Sequence, residues 1–228
     1  MIKAIIFDFG RVISAQKPAS LFRQYEQDLG LVPGKLNRIM FGSDIWDEVL
    51  VGRRTIDDYW AEIGPCLGLD TEDAILAFRQ RYHHDEAING GVLELLQRLE
   101  GGYKLAVLSN APAGLSGWLA DWQMLDLFDD VVCSGEVGLA KPDPAIFRLA
   151  LERLSVEPGE AVFIDDTLGH VEAARSLGMQ AIHFTTADAL EGELDRLLAN
   201  QQGRACGEST ILASCIMKPT SEDTAQNR

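Results

Sequence analysis

Positive charge is scarce in this chain: 20 Lys and Arg stand against 35 Asp and Glu, a formal net charge of −15. A surface of that sign repels nucleic acid and anionic membranes, so no nucleic-acid or membrane partner is expected. It repels an anionic substrate too, and any phosphate site must therefore be locally positive. Cysteine is sparse as well. Cys66, Cys133, Cys206 and Cys215 form no Cys-x-x-Cys pair, and no histidine sits near them at zinc spacing. Reduced thiols in a cytoplasmic protein are the expectation. Long apolar runs are missing: nothing approaches 18 continuous apolar residues, which leaves no candidate for a membrane-spanning helix. The opening Met1-Ile2-Lys3-Ala4-Ile5-Ile6-Phe7-Asp8 turns acidic too soon for the apolar stretch of a secretory signal.

What is present suits a globular fold. The 228 residues are 46% hydrophobic and 24% charged, enough to bury a full core. That length is about one and a half typical domains, or one domain with an insertion or a tail. Short apolar runs read as strands buried on both faces: Ala4–Phe7, Lys104–Leu108, Val131–Cys133, Ala161–Ile164 and Gln180–Phe184. Between them lie amphipathic helical patterns. Val92, Leu95, Leu96 and Leu99 share a face, as do Ile146, Leu149, Ala150, Leu151 and Leu154 behind Pro144. Val171, Ala174 and Leu177 make a third, closed by Gly178, and Leu190, Leu194, Leu197 and Leu198 a fourth. Strand–helix alternation of this kind predicts an α/β fold with a doubly wound, Rossmann-like parallel sheet.

The first strand does not lead straight to the second. Residues 14–85 read as helical throughout, with Leu21, Tyr25 and Leu29 on one face, Ile56, Trp60, Ile63 and Leu67 on another, and Ile75, Phe78 and Tyr82 on a third. An insertion at that point lies over the C-terminal edge of the sheet, where such folds bind ligands, and is expected to be a cap. The expected division is a core of 1–13 and 86–199, a helical cap of 14–85 and a C-terminal tail of 200–228. In the tail Thr210–Ala213 fits a short strand and a disordered segment equally. Trp46 and Trp60 are expected in the cap's own core, Trp118 and Trp122 in packing, and the His83-His84 pair in a structural or solvated role. His183, at a strand end, is expected to be a packed loop residue.

Chemistry-bearing groups cluster just past the strand ends: Asp8, Ser109 with Asn110, Lys141, and Asp165 with Asp166. In a parallel sheet those ends share one edge, so a nucleophilic carboxylate, a hydroxyl, an ammonium and two further carboxylates converge. Oxygen donors of this kind suit Mg²⁺, and the ammonium and hydroxyl suit the charge of a transferring phosphoryl group. Read alone, each has a plainer role: Asp8 as a strand-end cap, Ser109 as a turn hydroxyl, Lys141 as a loop residue, and the aspartate pair as an N-cap for a helix starting near Leu168.

Taken in order, Phe7-Asp8-Phe9-Gly10-Arg11-Val12, Leu108-Ser109-Asn110, Gly138-Leu139-Ala140-Lys141-Pro142-Asp143 and Phe163-Ile164-Asp165-Asp166 resemble the motifs of the haloacid dehalogenase-like hydrolase superfamily. The helical insertion resembles the C1 cap of its subfamily I. The motif details are similar to the group containing α-D-glucose-1-phosphate phosphatase. The resemblance implies a phosphatase acting on a small phosphorylated metabolite through an aspartyl-phosphate on Asp8, with Mg²⁺ as cofactor. It implies phosphate binding by Ser109 and the Asn110 backbone, and charge neutralisation by Lys141. Mg²⁺ would be held by Asp8, the Gly10 carbonyl and Asp166, with Asp165 supporting a metal-bound water or Lys141. A 2-haloacid dehalogenase, or a weakly catalytic protein that binds a phosphorylated ligand or a partner, are the alternatives. Two positions depart from the pattern. Gly10 stands where most phosphatases of the superfamily carry an aspartate acting as general acid–base, and His170 stands where Asn or Asp is common. Arg11 fits a substrate contact and a solvent-facing role equally.

Overall fold

The computed structural model describes residues 1–199. Cys206, Cys215 and the Thr210–Ala213 segment lie outside the described residues. Strand β1, Ala4–Phe7, is followed by a single wide turn over Phe9–Ile13, closed where the Ser14 amide donates to the Phe9 carbonyl at 2.9 Å. Five helices then run in sequence: α1 Ala19–Asp28, α2 Lys35–Phe41, α3 Asp44–Leu50, α4 Ile56–Cys66 and α5 Glu72–His84. The chain returns through α6 Gly90–Leu99 to β2 Lys104–Ser109, and continues with α7 Leu115–Asp121, β3 Asp130–Cys133 and the short α8 Ser134–Val137. It closes with α9 Pro144–Leu154, β4 Ala161–Asp165, α10 Leu168–Ser176, β5 Gln180–His183 and a helix, α11, over 187–199.

The five strands are parallel in the order β3-β2-β1-β4-β5, as the alternating pattern predicts. The period-two alternation of each strand splits the core into two layers. Ile5 and Phe7 face α6, α7 and α11 through Leu95, Leu96, Leu119 and Leu194. Ala4 and Ile6 face α9 and α10 through Ile146, Phe147, Ala150 and Ala174. Phe163 meets the Phe147 ring edge-on at 5.2 Å. Register decides what happens at the C-terminal edge. Phe7 aligns with Val107 on one side and Ile164 on the other, so Asp8 and Asp165 leave neighbouring strands at the same level.

Helices α1–α5 bury a separate apolar cluster that includes Tyr25, Leu36, Tyr59, Trp60, Ile63 and Phe78. Helix α4 starts on a capping box between Thr55 and Asp58. The spacing pattern anticipates α1, α4 and α5; α2 and α3, seven residues each, are too short to leave a clear one. At the neck of the insertion Ser14 pairs antiparallel with Ile88, one bridge with no sequence signature. At the far end the Gly52 backbone comes close to the backbone of the core at Gly135. Gly52 has φ +69, and a Cβ placed there would lie 2.3 Å from the Gly135 carbonyl oxygen.

That contact makes a prediction. Gly52→Ala should lower stability by about 1–3 kcal/mol, because it adds a clash to a left-handed backbone. Gly68 has φ +77 but open space around it, so Gly68→Ala should cost only the conformational share, about 1–2 kcal/mol. Urea midpoints for the two variants check this: equal losses would show that the insertion gives way at Gly52 without resistance.

Candidate active site

Every residue singled out at the strand ends lies at this edge of the sheet. Lys141 is the hub. It comes from the loop between α8 and α9 and is 4% exposed. Its ammonium lies 2.8 Å from Asp8 Oδ1 and 2.6 Å from Asp165 Oδ2. Asn110 holds the loop in place: its amide donates to the Lys141 carbonyl and accepts from the Lys141 N–H, both at 2.8 Å. The Asn110 side chain is therefore a clasp for Lys141, a role the sequence does not reveal.

Asp8 Oδ1 also accepts from the Phe9 amide at 2.8 Å. Both of these contacts fall on Oδ1 and leave Oδ2 out. Ser109 lies beside the same carboxyl group and favours its charged form. Burial pushes the Asp8 pKa up; Lys141 opposes that and the nearby Asp165 adds to it. Asp165 is fully buried, and burial alone would raise its pKa as well. The His170 bond and the Lys141 charge outweigh that and hold it below the ordinary aspartate range. The two carboxyls share one ammonium and titrate as a pair, in which Asp165 keeps its charge more firmly than Asp8.

The oxygens of Asp165 are spoken for. Oδ2 takes Lys141 and the His170 Nδ1–H at 3.0 Å, and Oδ1 accepts from the Thr167 amide at 2.7 Å. That last bond goes to the amide of Thr167, which is itself the N-cap of α10; no side chain caps this helix, so the plain helix-capping reading of the aspartate pair does not hold. His170, on the first turn of α10, thus orients the carboxylate that orients Lys141. Asp166 is half-buried and pairs with Arg11 Nη2 at 2.9 Å, while His183 Nε2–H donates to the Asp166 carbonyl at 2.9 Å. Sequence spacing does not show the His183 contact.

Carboxylate oxygens of Asp8, Asp165 and Asp166 lie within 4.8 Å of one another. Three carboxylates face two cationic side chains, Lys141 and Arg11, and a net negative cluster of hard oxygen donors suits a hard divalent cation. The Gly10 carbonyl belongs to the same turn, whose next residue, Arg11, has φ 60. Gly10 itself has φ −66 and ψ 123, and a Cβ there would meet nothing within 4 Å. Neither backbone nor space demands a glycine at this position.

Of the aromatic residues, Trp60 is buried in the insertion's core as expected. Trp46 and Trp118 pack against the insertion's core and the sheet's core as expected and, with His83, also line a cleft of about 650 Å³ that reaches Gly10, Ser109 and Asn110. Trp46 packs on Tyr59 with its other face, at 5.2 Å between ring centres, so packing and lining are not exclusive. Burial lowers the His83 pKa. Cys133 is buried and Cys66 exposed, both as free thiols. Among the described residues, no helix is long and apolar enough to cross a membrane.

A doubly wound parallel sheet with a carboxylate–ammonium centre at its C-terminal edge, and a helical insertion after the first strand, defines a class of α/β enzymes with an aspartate-based site. Within it, the chain belongs to the haloacid dehalogenase-like hydrolases, a family that matches residues 2–178. It is 29% identical over 201 residues to a sesquiterpene phosphatase of Aspergillus oryzae, covering 86% of this chain and 96% of that protein. It is also 29% identical over 212 residues to a drimenol cyclase of Aspergillus calidoustus, but there it spans 90% of this chain and only 38% of the relative. In fold it is similar to a family enzyme of Bacteroides thetaiotaomicron solved with magnesium and inorganic phosphate. That match has a TM-score of 0.64 and 22% identity and covers 82% of this chain and 96% of that one.

Replacing the hub tests the electrostatics. Lys141→Met strands two buried carboxylates and should cost about 3–5 kcal/mol near neutral pH. Without the ammonium Asp8, already raised by burial and by Asp165, loses the charge that opposes the shift, and its folded pKa stands still further above its unfolded one. The variant should therefore regain stability as pH falls below that raised range, and lose it as pH rises. Chemical denaturation at two pH values checks the sign; a variant equally stable at both would refute the shared-ammonium account.

Proposed function

We propose that the protein is a Mg²⁺-dependent phosphohydrolase that cleaves a small phosphomonoester through an aspartyl-phosphate on Asp8. The observation that carries this reading is the asymmetry of the Asp8 carboxylate. Oδ1 is held by Lys141 and by the Phe9 amide, and neither contact uses Oδ2. A carboxylate pinned by one oxygen is aimed through the other, which is the arrangement a nucleophile needs.

In this mechanism Asp8 Oδ2 attacks phosphorus, the bond from phosphorus to the leaving oxygen breaks, and the alcohol departs. Water then attacks the phosphorus of the acyl phosphate, releasing inorganic phosphate and restoring the carboxylate. Lys141 offsets charge on Asp8 and on the phosphoryl oxygens, and the Ser109 hydroxyl and the Asn110 backbone hold those oxygens. Asp8, the Gly10 carbonyl and Asp166 are the residues that would hold Mg²⁺, whose contribution when bound is to offset phosphoryl charge beside the nucleophile. Asp165 and His170 keep Lys141 in position. The insertion, 14–85, acts as a cap over this edge, with 1–13 and 86–199 as the catalytic core. The sesquiterpene phosphatase likeness and the magnesium- and phosphate-bound fold relative support the same reaction class.

Three variants test the reading. Asp8→Asn should leave less than about 1% of wild-type turnover, a barrier increase of at least about 2.7 kcal/mol, with the fold retained by circular dichroism; more activity than that removes Asp8 as nucleophile. Asp166→Ala should weaken Mg²⁺ binding by calorimetry more than about 10-fold, the loss typical of even an outer partner of a metal site. Unchanged affinity moves the metal elsewhere, and metal-independent halide release from a 2-haloacid would favour the dehalogenase instead.

The third test concerns Gly10, which has no proton to give. Turnover should depend steeply on leaving-group pKa, with aryl and acyl phosphates ahead of primary-alcohol phosphates by as much as about 5 kcal/mol of barrier. Gly10→Asp fits the open space and should flatten that dependence. A flat series in the unmodified protein would mean that another group already serves as the acid. Failure to hydrolyse even aryl phosphates, in folded protein supplied with Mg²⁺, would favour a ligand-binding role.

A further inference from the structure

The lining of the cleft of about 650 Å³ holds two chemically different sets of residues. One is Ser109 and Asn110, assigned above to the phosphoryl half of a substrate, with Gly10, assigned to the metal, and Arg11, which pairs with Asp166. The other is the aromatic set Phe22, Phe41, Trp46, Tyr82 and Trp118. These rings come from α1, α2, α3, α5 and α7, so both the insertion and the core contribute. None is fully buried, and Phe41 is 42% exposed although its ring edge packs on Trp46 at 5.4 Å. Large aromatic side chains that are partly exposed and line one cleft leave apolar surface for an occupant to cover.

The polar groups on the same walls are mostly committed to one another. Lys17 pairs with Glu86 at 2.6 Å and lies over the Tyr82 ring at 4.3 Å. The Ser14 hydroxyl accepts from the Arg11 amide, and the Asn110 side chain is taken by Lys141. Gln16, Asn37 and the His83 ring are the polar side chains that remain. A polyhydroxylated moiety finds few uncommitted side chains here, and each hydroxyl it buries without a partner is costly. An apolar moiety loses nothing by that and gains the aromatic surface.

We propose that this cleft takes the organic half of an apolar phosphomonoester, one whose alcohol or phenol bears a hydrocarbon body rather than a sugar. The assignment rests on the phosphohydrolase reading for which of these residues hold phosphate. The wall chemistry itself stands apart from that reading.

The test uses the full chain with Mg²⁺ and a series of n-alkyl phosphates from butyl to decyl, below their micelle concentrations, with glucose 6-phosphate as the polar comparison. All are esters of primary alcohols, so leaving-group pKa is nearly constant and only the body of the substrate changes. kcat/KM should rise by up to about fourfold per added methylene, and decyl phosphate should exceed glucose 6-phosphate. In parallel, calorimetry with the non-hydrolysable n-alkylphosphonates should show affinity climbing with length. Phe41→Ala, at an exposed position the fold tolerates, should flatten both slopes, and Phe41→Leu should restore part of them. Length-independent values, a preference for glucose 6-phosphate, or slopes indifferent to Phe41→Ala would each overturn the assignment. Should acetyl phosphate not be hydrolysed while phosphonate affinity still climbs with length, the hydrolytic reading fails and the apolar cleft stands. Should hydrolysis proceed with no length dependence, the reverse holds.

Discussion

One ammonium holds this site together. Lys141 is buried between Asp8 and Asp165, at 2.8 and 2.6 Å, and each charge alone would cost several kcal/mol to take out of water. The arrangement is stable only because each member satisfies another. Asp165 reaches Lys141, His170 and the Thr167 amide, and Asn110 clamps the backbone that carries Lys141. Three strand-end segments and one loop are thereby tied to a single point. The sheet supplies the edge, and the ammonium decides how the groups on it face.

The same trio explains why the two central aspartates differ. Asp165 has all its capacity taken by donors and keeps its charge. Asp8 is bound through Oδ1 alone by Lys141 and the Phe9 amide, in a buried setting that raises its pKa. A nucleophile that is buried, anchored on one side and less firmly ionised is also more basic than an aspartate in water, which favours attack on an electrophile. Beside it Gly10 keeps an open space that a side chain with an acid would fill without strain. The glycine is therefore not a demand of backbone geometry, and under the proposed mechanism it would shift the burden of leaving-group departure onto the substrate.

Above this edge the helical insertion serves two purposes with the same residues. Trp46 and Tyr82 pack against Tyr59, Tyr25 and Phe78, supporting the insertion's own core, and present their remaining surface to the cleft. The backbone contact at Gly52 and Gly135 brings the far end of the insertion close to the loop that precedes Lys141. The insertion and the core thus both line the cleft, while Asp8, Ser109 and Asp165 stay at the ends of the sheet strands.

The strands were legible because burial on both faces writes a short apolar run into the chain, and three of the five runs end at or next to Asp8, Ser109 or Asp165. Helix faces such as Val92–Leu99 were equally plain. Membership of the family and the identity of the strand-end cluster follow from those local signals and their order. What the sequence could not contain were distances across the fold. That Asn110 clamps Lys141, that His170 braces Asp165, that His183 holds the Asp166 carbonyl, and that Trp46 faces a cleft as well as a core all depend on residues brought together from separate elements. By itself the sequence determined the sheet, its edge and the residue types gathered there, because those follow from periodicity and chain order. Only the tertiary structure decided which oxygen of Asp8 is held, which carboxylate is shared and which aromatic faces stay bare, because side-chain partnership is set by packing in three dimensions, where separation along the chain carries no information.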